Sequence, residues 1–206
     1  MRFYYYFKKK GGFRYLQILI SRFFFFIFNF LRYNELHYSS YIKSPILVTP
    51  RYVSLHKYVI IGYNARIEGV SMYNEETFNP QIIFNDGVRV EQNLHLTCAN
   101  KIIVGRNTSI GANVTITDIH HSYEDINKPI EKNDIAVKSV VIGNECKIYN
   151  NVVILPGVTI GKHVTVGANS VVTRDIPDYC VAVGAPAKVV KQYNQSTNKW
   201  ESVKYV

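Results

Sequence analysis

Residues 116–130 read ITDIHHSYEDINKPI. Two adjacent histidines, His120 and His121, stand there among three carboxylates, Asp118, Glu124 and Asp125. Imidazole changes charge near neutral pH, so such a segment suits proton transfer, and a carboxylate such as Asp118 could orient the ring as a triad acid does. The pair Glu124/Asp125 reads equally as a solvated loop tip. Imidazole also binds metals, but a metal needs about three side chains converging on one point. His95, His120, His121 and His163 are available, and their spacing matches no three-histidine pattern, so no metal is expected.

Covalent catalysis finds less support. The three cysteines, Cys98, Cys146 and Cys180, form no CxxC pair and share no nucleophile motif with a histidine. An odd number without paired spacing suggests neither a disulfide framework nor a zinc knuckle, and fits a reducing, cytoplasmic compartment.

The elements that must position the histidines announce themselves by a repeat. From Ile142 the chain divides into IGNECK, IYNNVV, ILPGVT, IGKHVT, VGANSV and VTRDIP, with aliphatic residues at 142, 148, 154, 160, 166 and 172. The same beat runs through Phe84, Val90 and Leu96 and, after a two-residue slip, through Val104, Ile110 and Ile116. A period of six fits neither a helix at 3.6 nor an alternating strand at 2. It fits a coil with three short sides per turn, each placing one aliphatic residue in a central prism, with Gly143, Asn150, Gly161 and Gly167 at corners where positive φ is easiest for them. A sandwich of short strands would need turn signals about every 8–12 residues. Counting sixes, residues from about 118 to 138 leave the coil. An excursion from a rigid solenoid is where a site is usually grafted.

On these hexads, and on the close VGANSVVTRDIPDYCVAVGAPAKVVKQY, the chain resembles the hexapeptide-repeat acyltransferases, in the branch of O-antigen, capsule and maltose/galactoside acetyltransferases. The resemblance covers roughly Tyr58 to Tyr193. It implies an all-β fold, a left-handed parallel β-helix, working as a homotrimer with sites between subunits. It implies acetyl-CoA as donor, with Asn150, Ala168, Thr173, Arg174, Lys188 and Lys191 at the cofactor positions, and a sugar hydroxyl as acceptor, in a cell-surface polysaccharide or its precursor. Aligning on IGANVT places the family's catalytic histidine at His121, with His120 shaping the loop or touching the acceptor. Asn93 and Glu91 match positions near the acceptor, Glu91 inexactly. The chain departs from the pattern at Lys147 and Tyr149, where relatives often carry tryptophan and glycine. A sugar amine or small xenobiotic as acceptor, a metal-dependent carbonic-anhydrase-like activity and an inactive scaffold are the competing readings.

Charge divides the chain. Residues 1–60 carry ten Lys/Arg against Glu35 alone, 10 − 1 = +9, which is the whole net charge of +9, so the remainder sums to zero and no nucleic-acid partner is implied. The basic part begins MRFYYYFKKKGGFRYLQILISRFFFFIFNFLRYNE, which lacks the small-residue cleavage site of a secretory signal. Its uncharged runs fall short of the ~18–20 residues of a spanning helix, and joining them would place Arg22 near the bilayer centre at roughly 2.5–3.5 kcal/mol. Residues 1–35 instead suit a helix lying on an anionic membrane surface, with Lys8–Lys10 and Arg14 at the headgroups, or one packed on the trimer. The expected organisation is a helical and connecting segment at 1–57, the solenoid at 58–193 and a tail at 194–206 without a readable pattern.

Overall fold

The computed structural model describes residues 12–203, with side chains from residue 16. Three parallel sheets wrap one apolar prism. The first joins strands Glu35–Leu36, Val53–Leu55, Gln81–Phe84, Lys101–Val104, Val140–Ile142 and Thr159–Ile160. The second runs from Tyr41–Ile42 through Ile60–Ile61, Arg89–Val90, Ser109–Ile110, Lys147–Ile148 and Thr165–Val166 to Cys180–Val183. The third holds Leu47–Val48, Arg66–Gly69, His95–Cys98, Thr115–Thr117, Val153–Ile154 and Val171–Val172. The chain visits the sheets in turn, so each circuit is one coil, and the hexad residues Phe84, Leu96, Val104, Ile116, Ile142, Ile148, Ile154, Val166 and Val172 are fully buried. Each burial contributes roughly 1.5–3 kcal/mol, and each ladder is completed only by its neighbours above and below.

Strand register measures every departure from the beat. Ile142 pairs with Ile160, an offset of 160 − 142 = 18, three hexads. Phe84 pairs with Val104 at 104 − 84 = 20, which is the two-residue slip. Val104 pairs with Ile142 at 142 − 104 = 38, the 18 of one coil plus 20 residues of excursion. Leu55 pairs with Phe84 at 84 − 55 = 29, which reveals an earlier excursion of 29 − 18 = 11 residues. It forms the hairpin Met72–Tyr73/Glu76–Thr77.

Two expectations need correction. Parallel pairing begins at Glu35, not near residue 58: the strands at 35–36, 41–42 and 47–48 build a first coil on the second. Its hexads are irregular, with offsets of 19, such as Leu36 to Leu55 (55 − 36), which hides them from a count of sixes. Nor do Gly143, Asn150, Gly161 and Gly167 supply positive φ. That conformation falls on Glu145, Asn151, His163 and Asn169 instead. Gly143 is small because coils approach closely there: a Cβ would lie 2.5 Å from the Gly161 carbonyl oxygen.

The helix Gly12–Asn29 lies beside the first coil, with the Arg22 guanidinium 5.0 Å over the Tyr41 ring and Phe25 edge-on to Tyr33 at 5.9 Å. At the other end the tail is not patternless in space. Strand Lys199–Ser202 pairs antiparallel with Lys188–Asn194, and Tyr193 meets Trp200 edge-on at 5.6 Å.

Candidate active site

Both excursions leave the solenoid at the same corner, after a strand of the third sheet and before one of the first. The later one opens with Ile119–His121, which pairs antiparallel with Ile135–Val137, so a two-stranded stem holds His121 opposite Ile135. Beneath it, buried Asp118 receives hydrogen bonds from the backbone N–H groups of Ala99, Asn100 and Lys101, each at 2.8 Å, and from the Cys98 thiol at 3.3 Å. The expectation that Asp118 orients an imidazole is therefore corrected: its oxygens are committed to the turn of the coil below, and it anchors the foot of the loop.

His120 and His121 are both exposed, on a segment that reaches away from the body. His120 faces the Tyr123 ring edge-on at 5.7 Å. His121 Nδ1 lies 3.3 Å from the Tyr73 hydroxyl, and the two rings meet edge-to-face at 5.3 Å. The same hydroxyl donates to Glu131, whose carbonyl oxygen and Oε2 both lie at 3.0 Å. A second tie, Asn74 Nδ2 to the Asn133 carbonyl at 3.2 Å, fastens the early hairpin to the loop. Partial desolvation and Glu131's hydrogen bond and charge raise the Tyr73 phenol above the usual tyrosine range, so it stays protonated. Glu124 accepts from the Tyr123 N–H and Asp125 from the Asn127 N–H, which makes both organisers of the loop tip.

Tyr73 and Glu131 are the residues that sequence reasoning missed. The signal was the interrupted count between Ile67 and Phe84, together with Asn74, which takes φ +51° in the hairpin turn.

The remaining expected residues are distributed along the third sheet's two edges. Thr173 and Arg174 are exposed just beyond Val171–Val172, on the same corner as His121. Glu91, Asn93, Asn150 and Ala168 lie on the other edge, before the third-sheet strands. There Asn93 is a rung of a side-chain ladder running Asn64, Asn93, Asn113, Asn151, Asn169, and Asn150 Oδ1 accepts from the Ala112 N–H at 3.1 Å. Lys188 and Lys191 stand on the antiparallel strand Lys188–Asn194. A single chain thus does not gather His121 with Asn93 or Asn150. A cleft lined by Asn34, Arg51, Tyr52, Ser54 and Gln81 contains none of them. At the departure from the family pattern, the Lys147 ammonium sits 5.4 Å over the Tyr149 ring.

Among the described residues no group of three or more His, Cys, Asp and Glu side chains could hold a metal ion. Burial raises all three cysteine thiols, so none is primed as a thiolate.

Residues 139–174 match the family described as bacterial transferase hexapeptide (six repeats). WbbJ of Escherichia coli (strain K12), named for lipopolysaccharide biosynthesis O-acetyl transfer, is 34% identical over 168 residues, covering 78% of this chain and 85% of its own. The galactoside O-acetyltransferase of the same organism is 30% identical over 171 residues, covering 79% and 74%. In three dimensions the chain superposes on the hexapeptide-repeat acetyltransferase VCA0836 of Vibrio cholerae O1 biovar eltor, crystallised with acetyl coenzyme A, at a TM-score of 0.57 and 19% identity over 87% and 85% of the two chains. The chain belongs to the hexapeptide-repeat acyltransferases, in their O-acetyltransferase branch, and its three-sided coil is the left-handed β-helix of that family.

Proposed function

We propose that this protein transfers the acetyl group of acetyl-CoA to a hydroxyl of a sugar in a cell-surface polysaccharide, O-antigen or capsule, or its precursor, and that His121 is the general base. The reading is carried by one observation: an exposed imidazole on a stem braced from below by Asp118, bonded only through Nδ1 among the described residues. Its Nε2 takes the proton of the sugar hydroxyl as the oxygen attacks the thioester carbonyl. The tetrahedral intermediate collapses, the carbon–sulfur bond breaks, and the CoA thiolate leaves and takes the proton back from the imidazolium. No acyl-enzyme is needed, in keeping with three buried thiols whose burial keeps them protonated.

The donor positions support a homotrimer. Thr173 and Arg174 share a corner with His121, whereas Asn150 and Ala168 lie across the third sheet, so a neighbouring copy's edge completes the site. Arg174, Lys188 and Lys191 supply cationic partners for the phosphates of CoA. The relatives' names, lipopolysaccharide biosynthesis and galactoside O-acetyl transfer, support a saccharide acceptor. An acceptor held at the inner face of a membrane fits the apolar outer face of the helix Gly12–Asn29, which we assign to peripheral contact with anionic lipid.

The test is thiol release from acetyl-CoA with a panel of oligosaccharides, products being read by mass spectrometry. His121→Ala should lower kcat by about 10²–10⁴ while the assembly and its melting temperature are unchanged. Nearly full activity in that variant would remove His121 from the mechanism.

A further inference from the structure

A tyrosine hydroxyl owns one hydrogen, and three groups compete for it around Tyr73: Glu131 Oε2 and the Glu131 carbonyl, both at 3.0 Å, and His121 Nδ1 at 3.3 Å. An ionised carboxylate and a carbonyl can only accept. If Tyr73 gave its hydrogen to the imidazole, its lone pairs would face the Glu131 oxygens with no proton between them. The hydrogen therefore goes to Glu131, and the imidazole must supply the one on its own contact.

We propose that Tyr73 and Glu131 are positioning residues that fix the tautomer of His121, through a relay in which His121 Nδ1–H donates to Tyr73 Oη and the Tyr73 O–H donates to Glu131. With Nδ1 carrying the hydrogen, Nε2 presents the lone pair that proton abstraction requires. The relay does for this ring what a carboxylate does in a Ser-His-Asp triad, with a phenol interposed because the nearest acid of the coil, Asp118, is occupied elsewhere. No proton is consumed along it: the sugar's proton enters and leaves at Nε2.

The geometry is built rather than incidental. Tyr73 comes from the early excursion and Glu131 from the late one, 131 − 73 = 58 residues apart, and the Asn74 to Asn133 bond closes the same contact a second time. The edge-to-face ring contact, at an interplanar angle of 75°, fixes the imidazole plane as well as its nitrogen. The phenol's raised pKa, caused by desolvation and Glu131, keeps the bridging hydrogen in place.

The inference rests on His121 being the base, and the experiment separates the two. Tyr73→Phe removes one oxygen from a half-buried ring and should fold normally, as circular dichroism would verify. Its kcat should fall about ten- to hundredfold, with KM for acetyl-CoA and for the sugar within about twofold. Nitrogen-15 NMR of the neutral imidazole should show the Nδ1–H tautomer in the parent protein and a shift towards Nε2–H in Tyr73→Phe. An unchanged tautomer and rate in Tyr73→Phe would overturn the relay. A fully active His121→Ala protein alongside a shifted tautomer in Tyr73→Phe would instead remove the base assignment and leave the relay standing.

Discussion

A carboxylate buried without a cation survives only where N–H groups replace water around it. Asp118 meets that condition with three backbone donors, at residues 99, 100 and 101, and through them it ties the start of the histidine loop to the coil below. Asp118→Ala strands those donors in a part-buried turn, with the Ala99 N–H wholly cut off from water. It should cost about 3 kcal/mol, read as a drop of about 6–12 °C in the melting temperature, with activity falling because the stem beneath His121 loosens. A change under about 1 kcal/mol would return Asp118 to a catalytic rather than an anchoring part. At this scale the sequence was half legible. The histidine pair stood out because imidazole is rare and chemically specific. Asp118 did not separate into orienter or anchor, because an acid beside a histidine looks the same in either role until its partners are known. Tyr73 was hidden among 16 tyrosines.

Elements were legible in proportion to their periodicity. The hexads from Ile142 to Val172 fix strand, sheet and register together, since only one phase puts every aliphatic inside. The first coil escaped because its circuits run to 19 residues, 55 − 36 and 61 − 42, so the count drifts, and as the end coil it buries Leu36 and Val48 only in part. The corner glycines were found for the wrong reason, and the right one predicts a contrast. At Gly143 the three nearest atoms all belong to the backbone of the next coil, so Gly143→Ala must force two coils apart. It should cost about 2–3 kcal/mol in denaturant unfolding. Gly157 has φ +83° and only the Lys138 side chain nearby, at 3.3 Å, so Gly157→Ala should cost about 1 kcal/mol through its backbone alone. The reverse order would mean that the corners are governed by conformation and not by coil spacing.

At the scale of the whole molecule, the helix Gly12–Asn29 gives the solenoid a sidedness. Its inner side carries Arg22 against Tyr41 and Phe25 against Tyr33. Its outer side and the turn after it expose Leu16, Ile20, Phe23, Phe24, Ile27, Phe28 and Leu31, with no charge among them. Arg22, which counts against bilayer entry when the sequence is read as a line, is turned towards the protein and leaves the outer face clear. No helix among the described residues is long and apolar enough to cross a membrane. An apolar face of this breadth within residues 1–35, whose seven Lys/Arg against Glu35 give 7 − 1 = +6, instead suits the headgroup boundary of an anionic bilayer, aromatic rings inserted and cations at the phosphates. Lys8–Lys10 and Arg14, to which the headgroup contact was assigned, have side chains outside the described ones. Vesicle flotation tests the arrangement. The full chain should float with phosphatidylglycerol-containing vesicles and much less with pure phosphatidylcholine, and about 0.5 M salt should weaken binding by screening the charges. Phe23→Glu with Phe28→Glu, two residues 61% and 70% exposed, should lower recovery at least tenfold while sedimentation reports the same assembly as the parent chain. Dissociation of that double variant into monomers, or equal recovery with both vesicle types, would mean that the face belongs to a subunit contact and not to lipid.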